Sequence, residues 1–474
     1  MPLSGPTCRR PKNVLTGDEI AKIHINTLRV LGEVGVVFED GKARRILETG
    51  GCQVDQASGR AIFPAHLVED CIARCPSRFT IRGRGPDYDL EINETQLYFQ
   101  SHPGLYILDL ETGHRREAAL ADIGPMTRLI DALDQIHLSI MPSGTLSDKP
   151  PAVMVEWVTA EQMRNTQKVV AAGVFHGCQK WIIEMARVTE QQVYGQMNSV
   201  SPLRYYREQT DGGLEYVAAG HPLCILPGPT VGANSPATLA GTLVLQNAEH
   251  LAGVVLVQLA YPGAPIVLGS YPHVMDMRVG AICIGGVETG LLGAALAQLG
   301  RHYRVPTHAQ FPMTDSKALD EQAAVEKAMG IVVLAESGLA LISNGGALEA
   351  EKAWSPVQLV IDNEINAMAG RLLQGIAVTD ETLAVGTIQA VGPTGHYLNT
   401  AHTFHMWQHE QYLPDLADRL GHEEWAARGS KTIVDRARER ALSILATHEV
   451  PPLPDEQDRE LDRILQAAES EKLG

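Results

Sequence analysis

From about residue 120 onward, short apolar runs alternate with longer stretches of helical periodicity. The runs predicted to form strands are IHLSIMP, KVVAAG, PLCILPG, AGVVLVQLAY, APIVLGS and LALISNGG. The helices predicted between them span residues 236–250, 288–302, 318–336 and 357–374. Because two parallel strands need a crossover connection, which is usually a helix, this order predicts a parallel sheet covered by helices.

Such a sheet either closes into a barrel or stays open. Open doubly wound sheets usually carry a glycine-rich phosphate loop after their first strand, and neither G-x-G-x-x-G nor G-x-x-x-x-G-K-[ST] occurs in that context. The pattern therefore favours an α/β fold of the (β/α)8 TIM barrel type, with the open sheet as the alternative. In a barrel the functional residues sit on the loops at the carboxyl ends of the strands.

The segments on either side of this alternation predict additional parts. Residues 17–50 have the spacing of two amphipathic helices, and residues 50–116 contain short strand patterns around one helix. The last fifty residues are rich in charged helical sequence. We therefore predict N-terminal helices with a small α/β cap at 1–118, the barrel at 119–424 and a C-terminal helical extension at 425–474.

Charge and composition exclude several classes of protein. A net charge of -17 leaves no basic surface for nucleic acid. The apolar window at 251–269 is interrupted by Pro262, Gly263 and Pro265, so we interpret it as two buried strands rather than a membrane span. The N-terminus lacks the apolar segment of a secretory signal, and the seven cysteines include no C-x-x-C pair. We expect a cytoplasmic protein with structural thiols.

The stretch TDSKALDEQAAVEK, residues 314–327, is the first candidate site. Asp315, Gln322 and Glu326 have the spacing of one stripe on a continuous helix. This stripe is either a solvated helix face, capped by Asp315 or Ser316, or part of a site. Because the stretch follows a predicted strand near residues 305–310, Asp315 and Lys317 are expected on a loop at the functional end of the barrel. We favour a site.

A histidine-rich stretch at residues 392–416 is the second candidate. His405 and His409 are one helical turn apart and could share a zinc ion, but no H-E-x-x-H motif and no nearby thiol completes a ligand set. We predict no metal site here. The Gly-Pro-Thr-Gly sequence before His396 instead predicts a tight loop that brings His396 and Tyr397 beside a ligand.

Two further stretches add polar residues next to glycines. YPHVMDMRVGAICIGGVE contains Asp276, Arg278 and Glu288, and an Asp-Arg pair of this kind more often locks a loop than binds a ligand. ISNGGALEAEKAWS follows another predicted strand and places Glu349 just beyond it.

No G-x-S-x-G motif is present, which argues against a serine hydrolase.

Several long motifs together resemble the trimethylamine methyltransferase superfamily of corrinoid-dependent methyltransferases. They occur in the order VLGEVGV, FTIRGRGPDYDLEI, DLETGHRRE, TDSKALDEQAAVEKA, GGALEAEKAWSPVQLVIDNEI, VGPTGHYLNTAHT and YLPDLADRLGHEEW. The resemblance extends from about residue 20 to residue 465. It implies a (β/α)8 barrel that takes a methyl group from a methylated amine and passes it to the cobalt of a separate corrinoid protein, so that this chain binds no cofactor itself.

The resemblance also narrows the substrate. The namesake enzymes carry pyrrolysine, which is thought to activate a tertiary amine, whereas this sequence contains only the standard twenty residues. A quaternary ammonium needs no such activation, because its nitrogen leaves as a neutral amine. We therefore expect a quaternary amine such as glycine betaine. Trimethylamine, a zinc-dependent barrel hydrolase and a non-catalytic binder of quaternary amines remain alternatives, and a homo-oligomer is expected.

The residues expected to bind this substrate follow from its two charges. Aromatic faces and carboxylates satisfy the cation, and the candidates are Tyr98, Phe99, Tyr397, Asp315 and Glu349. Hydrogen-bond donors satisfy a carboxylate, and the candidates are His396, Gln322 and Lys317. Glu326 belongs to the same predicted stripe as Asp315 and Gln322. The sequence assigns no catalytic residue.

Overall fold

The computed structural model describes residues 2–141 and 146–474. Pro142, the last residue of the predicted strand run IHLSIMP, lies outside these residues. The N-terminal elements are α1 (Gly17–Arg29), β1 (Val36–Phe38), α2 (Gly41–Thr49), β2 (Gln53–Asp55), β3 (Arg60–Ile62), α3 (Ala65–Arg74), β4 (Phe79–Ile81) and β5 (Leu90–Ile92). α1 begins with a capping box, in which Thr16 accepts from the backbone of Glu19 and the Glu19 carboxylate accepts from Thr16.

The remaining strands include those of the barrel. They are β6 (Tyr98–Ser101), β7 (Tyr106–Leu108), β8 (Arg115–Glu117), β9 (Leu138–Ser139), β10 (Val169–Ala172), β11 (Val193–Asn198), β12 (Arg204–Tyr205), β13 (Leu223–Leu226), β14 (Thr230–Val231), β15 (Ile266–Ser270), β16 (His273–Asp276), β17 (Ala281–Cys283), β18 (Thr307–Ala309), β19 (Leu341–Gly345), β20 (Ala347–Leu348) and β21 (Ala353–Trp354).

Helices alternate with these strands and then extend beyond them. They are α4 (Leu120–Ala132), α5 (Met154–Asn165), α6 (Gln179–Val188), α7 (Arg207–Ala218), α8 (Leu239–Ala260), α9 (Val287–Tyr303), α10 (Glu321–Ala335), α11 (Pro356–Gln374), α12 (Asp380–Leu383), α13 (Val385–Val391), α14 (Ala401–Glu410), α15 (His422–Ala427), α16 (Ile433–Thr447) and α17 (Asp455–Leu473).

Eight parallel strands form a closed barrel, in the order β6, β9, β10, β11, β13, β15, β18 and β19, and β19 pairs with β6 to close it. The predicted (β/α)8 class is confirmed. The barrel begins at Tyr98, before the boundary expected at residue 119. The barrel strand Val193–Asn198 was not predicted, and the barrel strand Tyr98–Ser101 was expected in the N-terminal cap. The β4–β5 hairpin shares an apolar cluster with residues inside the barrel, including Tyr98 and Leu341.

One predicted strand is wrong. The run AGVVLVQLAY forms the second half of α8, which is a helix of 22 residues. The helix lies between the barrel and the N-terminal helices α1 and α3, so it is buried on most sides. A helix that is buried all round loses the apolar and polar alternation that identifies helices in a sequence. α8 is also the one helix of the described residues long and apolar enough to cross a membrane, and most of it is buried inside the protein.

The C-terminal part contains two different regions. α16 and α17 pack on the barrel helices, with α16 against α11 and α4 and α17 against α5 and α6. Between α11 and α16 the chain leaves the barrel, and none of residues 371–415 is buried. We refer to residues 376–413, which contain α12, α13 and α14, as the arm.

Candidate functional site

A cavity of ≈ 910 Å³ lies at the carboxyl ends of the barrel strands. Segments that follow β6, β9, β10, β15 and β20 contribute to its wall, together with Val155, Thr159 and Gln162 of α5. Most of the wall is apolar, and it includes Leu105, Ile140, Met141, Val155, Phe175 and Ile282. A site at this end of a barrel agrees with the general rule for the fold.

Gln196, from β11, is a polar group in the cavity wall. Its side chain is buried, and its Nε2 has no hydrogen-bond partner among the described residues. A buried amide donor without a partner costs about 1–3 kcal/mol, so a ligand oxygen would be stabilised here. Its neighbour Gln162, in contrast, accepts from the Ser139 hydroxyl at 2.8 Å.

Glu351 and Lys352 add opposite charges to the cavity wall. The Glu351 carboxylate lies 3.0 Å from Nε2 of His102, which is buried. The Nδ1 atom of His102 has no partner among the described residues. The side chain of Lys352 makes no hydrogen bond or ion pair within the described part of the chain. The cavity therefore presents one fixed carboxylate and one available ammonium group.

The turn that carries Glu351 has an unusual backbone. Glu349, Ala350 and Glu351 have φ angles of 54°, 49° and 65°, which are left-handed for three non-glycine residues in succession. Each such residue costs roughly 1–2 kcal/mol, so the surrounding contacts must hold the turn. The N–H of Glu349 donates to the carbonyl of Ser316 at 2.7 Å, and the N–H of Ala350 donates to the carbonyl of Thr314 at 2.9 Å.

The predicted residues at 315–326 lie beside this turn. They are not one helical stripe, because α10 begins only at Glu321, with Asp320 as its cap. The expectation that Asp315 lies on a loop is confirmed. Its carboxylate accepts from the N–H groups of Ile284 and Gly285 at 2.9 and 3.2 Å. Burial, together with the nearby charge of Glu326, raises the pKa of Asp315.

Glu326 connects the loop to α10. Its Oε2 accepts from the Thr314 hydroxyl at 2.6 Å and from the Asp315 N–H at 2.9 Å, while its Oε1 accepts from the Gln322 amide at 2.9 Å. Lys317 donates to the backbone carbonyl of Asp315 and is exposed. Asp315, Lys317, Gln322 and Glu326 do not belong to the cavity wall. Through Asp315 they hold the segment that contains Ile284, and Ile284 lines the cavity.

We expected Glu349 to contact the substrate cation, but it lies outside the cavity wall. Its carboxylate is paired with Arg115, with both oxygens 2.7 Å from Nη1, and it does not line the cavity. The acidic residue that does line it is Glu351, two positions further on. Sequence spacing could not separate them, because the left-handed turn breaks the alternation of a strand.

Tyr98 and Phe99 lie on the first barrel strand, below the cavity. Tyr98 points into the barrel, where its hydroxyl contacts the backbone of Glu91, and Phe99 packs in a separate cluster with residues of α10 such as Ile331 and Leu334. Successive residues of a strand face opposite sides, so the two could not share one pocket. Neither residue belongs to the cavity wall.

His396 and Tyr397 lie on the arm. α11 starts near the cavity, after Lys352, and runs back to the other end of the barrel, where Asn366 donates to the carbonyl of Gln135, just before β9. The arm therefore leaves from the end opposite the cavity, and the structure does not bring the pair to the cavity of its own chain. The described residues contain no group of three or more His, Cys, Asp or Glu side chains that could hold a metal ion.

A buried polar network below the cavity was not predicted. The Tyr194 hydroxyl lies 3.1 Å from Nδ1 of His308, and Nε2 of His308 lies 2.8 Å from the Ser343 hydroxyl. Burial lowers the pKa of His308 to about 3, so the ring is neutral and can donate with one nitrogen and accept with the other. The position of His308 inside a predicted strand, HAQ, was the signal that could have identified it.

Comparisons with known proteins agree with one another. The sequence profile of the family described as trimethylamine methyltransferase (MTTB) matches residues 6–471. A trimethylamine methyltransferase, MttB, of Desulfitobacterium hafniense (strain DSM 10664 / DCB-2) is 34% identical over 466 residues, which are 96% of this chain and 93% of that protein. A glycine betaine methyltransferase of Desulfitobacterium hafniense (strain Y51) is 32% identical over 475 residues, with 96% of both proteins covered.

A solved structure is also similar. The alignment with the monomethylamine methyltransferase MtmB of Methanosarcina barkeri covers 92% of this chain and 96% of that protein, with a TM-score of 0.49 and 11% sequence identity.

Proposed function

Because the chain belongs to the trimethylamine methyltransferase family, we propose that it transfers a methyl group from a quaternary amine of the glycine betaine type to the Co(I) centre of a separate corrinoid protein. Two proteins similar over nearly the whole chain are named for trimethylamine and for glycine betaine. The cavity supports glycine betaine over trimethylamine. Its apolar wall contains one carboxylate, from Glu351, and two groups that can bind an anion, from Gln196 and Lys352.

The wall of the cavity suits a trimethylammonium group. Such a group is cationic but has an apolar surface, so it gains from burial against Leu105, Ile140 and Ile282. The ring of Phe175 offers an aromatic face, and Glu351 supplies the compensating charge. Glu351 therefore takes the role that the sequence suggested for Glu349.

The carboxylate of a betaine needs hydrogen-bond donors. The unpartnered Nε2 of buried Gln196 is one, and the ammonium of Lys352 is a second. Trimethylamine has no carboxylate and would leave the Gln196 donor unsatisfied. Loss of such a hydrogen bond is the strongest source of discrimination between similar ligands.

The reaction then needs no acid or base from the chain. The C–N bond breaks and its electron pair remains on the nitrogen, so the amine leaves neutral. The Co(I) of the partner corrinoid protein supplies the electron pair of the new bond to the methyl carbon and becomes methyl-Co(III). The protein holds the substrate so that the N–CH₃ bond points toward the opening of the cavity, and it excludes water from the methyl group. Asp315, Gln322, Glu326 and Lys317 act here as positioning residues, because they hold the loop at residues 310–320 and, through Asp315, the segment of Ile284 and Gly285 beside the cavity.

The corrinoid protein approaches from the open side of the cavity. The β16–β17 hairpin borders the cavity, and its tip exposes Met277 and Val279, each 72% exposed. The chain itself carries no corrinoid in this proposal. A reducing cytoplasm suits both the Co(I) acceptor and the seven free cysteines.

The test mixes the purified protein with a corrinoid protein reduced to Co(I) and one candidate amine. The visible spectrum reports formation of methyl-Co(III). We expect turnover with glycine betaine and none with trimethylamine. Turnover with trimethylamine alone would overturn the substrate choice, and turnover with neither amine, although betaine binds by calorimetry, would overturn methyl transfer in favour of a binding protein.

A further inference from the structure

One side of the cavity wall is formed by the start of α5. A short 3₁₀ helix, Pro151–Val153, leads into α5, and Pro151, Val155, Thr159 and Gln162 line the cavity. The last three follow one another at helical spacing, so they share one face of α5. The position of the first turns of α5 therefore determines the shape of this side of the cavity.

Lys472, in the last turn of α17, reaches this wall from behind. Its Nζ donates to the carbonyl of Ala152 at 3.0 Å and forms an ion pair with the carboxylate of Glu156. Each contact adjoins a residue that lines the cavity, Pro151 in the first case and Val155 in the second. The side chain of Lys472 is 10% exposed and that of Glu156 is 1% exposed, so water and salt screen the pair only weakly.

Glu469, one turn before Lys472, holds the same part of the chain at a second point. Its Oε1 accepts from Nε1 of Trp157 at 2.7 Å and lies 3.8 Å from Nζ of Lys149. The Lys149 ammonium also lies 3.5 Å from the centroid of the Trp157 ring. Residues three apart on a helix are neighbours, so one face of α17 contacts the chain on both sides of Pro151–Val153.

The end of β10, a neighbouring part of the cavity wall, is supported beside the same ion pair. The carbonyl of Gly173, which lines the cavity, accepts from the Tyr216 hydroxyl at 3.2 Å and from the Cys178 thiol at 3.6 Å. Burial raises the pKa of Cys178 to about 12, and the nearby charges of Glu156 and Lys472 act on it in opposite directions. The ion pair thus lies behind two segments of the cavity wall.

The carboxylate of Glu156 depends on Lys472. Oε1 of Glu156 contacts the lysine, whereas its Oε2 has no hydrogen-bond partner within the described part of the chain. A buried carboxylate that loses its counter-ion is strongly unfavourable. Without Lys472, Glu156 must take up a proton or become hydrated, and either change alters the packing at the start of α5.

We infer that Lys472 is a positioning residue, which fixes the α5 side of the cavity by neutralising Glu156 and by binding the carbonyl of Ala152. Lys472 does not line the cavity, so it acts on the substrate only through the wall residues. Lys472 and Glu156 are 316 positions apart in the sequence. The inference rests on the proposed function for the identity of the ligand, but the position of the wall can be tested without a ligand.

Titration calorimetry with glycine betaine tests the effect on binding. Lys472→Met removes the ammonium group with both of its contacts, and we expect the Kd to rise about tenfold, because small displacements within a site have effects of this order or larger. Glu471→Gln is the matched control, since Glu471 is the neighbouring residue of α17 and pairs with Lys180 at the surface. In this control the Kd should change less than about twofold, because an exposed ion pair contributes little.

A second control separates the position of the wall from the stability of the fold. Leu461→Ala removes a fully buried side chain of α17 about three turns before Lys472, so it lowers the stability but keeps the ion pair. Its Kd for glycine betaine should stay close to that of the wild-type protein. If Leu461→Ala raises the Kd as much as Lys472→Met does, α17 acts only on stability and the inference is overturned.

Hydrogen exchange measures the position of the wall in the absence of any ligand. The amides of residues 158–162 donate within the first turns of α5, and in Lys472→Met they should exchange faster than in the wild-type protein. The amides of α10 serve as the internal reference and should be unchanged. Equal exchange of residues 158–162 in both proteins overturns the inference. Failure of the wild-type protein to bind glycine betaine overturns the proposed substrate instead, and the exchange measurement then still decides the role of Lys472.

Discussion

The Nζ atom of Lys327 lies 2.8 Å from the carboxylate of Asp362, and both side chains are completely buried. Lys327 also donates to the carbonyl of Asn344, and Asp362 accepts from the N–H of Gly346. The pair thus joins α10 and α11 to the end of β19, from which the chain continues into the left-handed turn at Glu349–Glu351. Burial lowers the pKa of Lys327 and raises that of Asp362, and the attraction between the two charges opposes both shifts.

Breaking this pair should destabilise the protein strongly. Lys327→Met leaves a buried carboxylate without its counter-ion, and we expect a loss of about 3–5 kcal/mol in the free energy of unfolding. The double variant Lys327→Met/Asp362→Asn removes both charges and keeps an acceptor for Gly346, so it should recover most of the loss. Urea denaturation measures both, and a double variant no more stable than the single one would contradict the explanation.

Removing the charge of Glu351 should weaken binding of the cation. Glu351→Gln keeps a hydrogen-bonding group beside His102 but no negative charge, and we expect the Kd for glycine betaine to rise about tenfold, which corresponds to about 1.4 kcal/mol. Glu349→Gln is the control on the same turn, since Glu349 is paired with Arg115 outside the cavity. In the Glu349→Gln variant the Kd for glycine betaine should change less than about twofold, because an exposed ion pair contributes little free energy. Titration calorimetry measures the Kd of both variants. A larger rise in Kd for Glu349→Gln than for Glu351→Gln would assign the binding of the cation to Glu349.

Gln196 should determine selectivity for a carboxylate. Gln196→Leu removes the free amide donor, so the Kd for glycine betaine should rise by about a factor of ten while the Kd for choline, which has no carboxylate, stays nearly the same. The quantity to measure is the ratio of the two affinities. Equal loss for both ligands would show that Gln196 acts only on the shape of the cavity.

Asp315 should act through position and not through charge at the reacting atoms. Asp315→Ala frees the N–H groups of Ile284 and Gly285, and we expect the rate of methyl transfer to fall about tenfold or more because the cavity wall is displaced. Asp315→Asn keeps an acceptor oxygen and should retain most of the activity. If the asparagine variant is as inactive as the alanine variant, the carboxylate has a direct electrostatic role.

Stability should fall in mild acid because four buried histidines, and the half-buried His273 in the cavity wall, are neutral. Burial lowers the pKa of His137 and His308 to about 3 and the pKa of His221, His250 and His273 to about 4. In the unfolded chain these rings have a pKa of about 6.5, so below that pH unfolding takes up protons and the stability of the fold decreases until the folded pKa values are reached. Stability is fully present above pH about 6.5.

Calorimetric unfolding near pH 5 in buffers of different ionisation enthalpy measures this proton uptake directly. We expect about four to five protons from these five histidines. Unfolding without net proton uptake would contradict the assignment of buried neutral rings.

The sequence predicted several features well because they are encoded over short distances. The alternation of apolar runs and helices determined the parallel barrel, and most of the predicted helices are close to those observed. The position of Asp315 on a loop at the functional end followed from the strand before it. α8 is the exception, because a helix buried on most sides no longer shows the periodicity that a partly exposed helix has.

What the sequence alone determined is therefore the family, the barrel and the end of the barrel that carries function. Only the tertiary structure decided which side chains meet there. His102 and Glu351 are separated by 249 positions, and their contact depends on closure of the barrel. The left-handed turn selects Glu351 over Glu349, the alternation along β6 separates Tyr98 from Phe99, and the direction of α11 takes His396 away from the cavity. Local periodicity contains no information on these long-range contacts, because each depends on where distant segments of the chain are brought together.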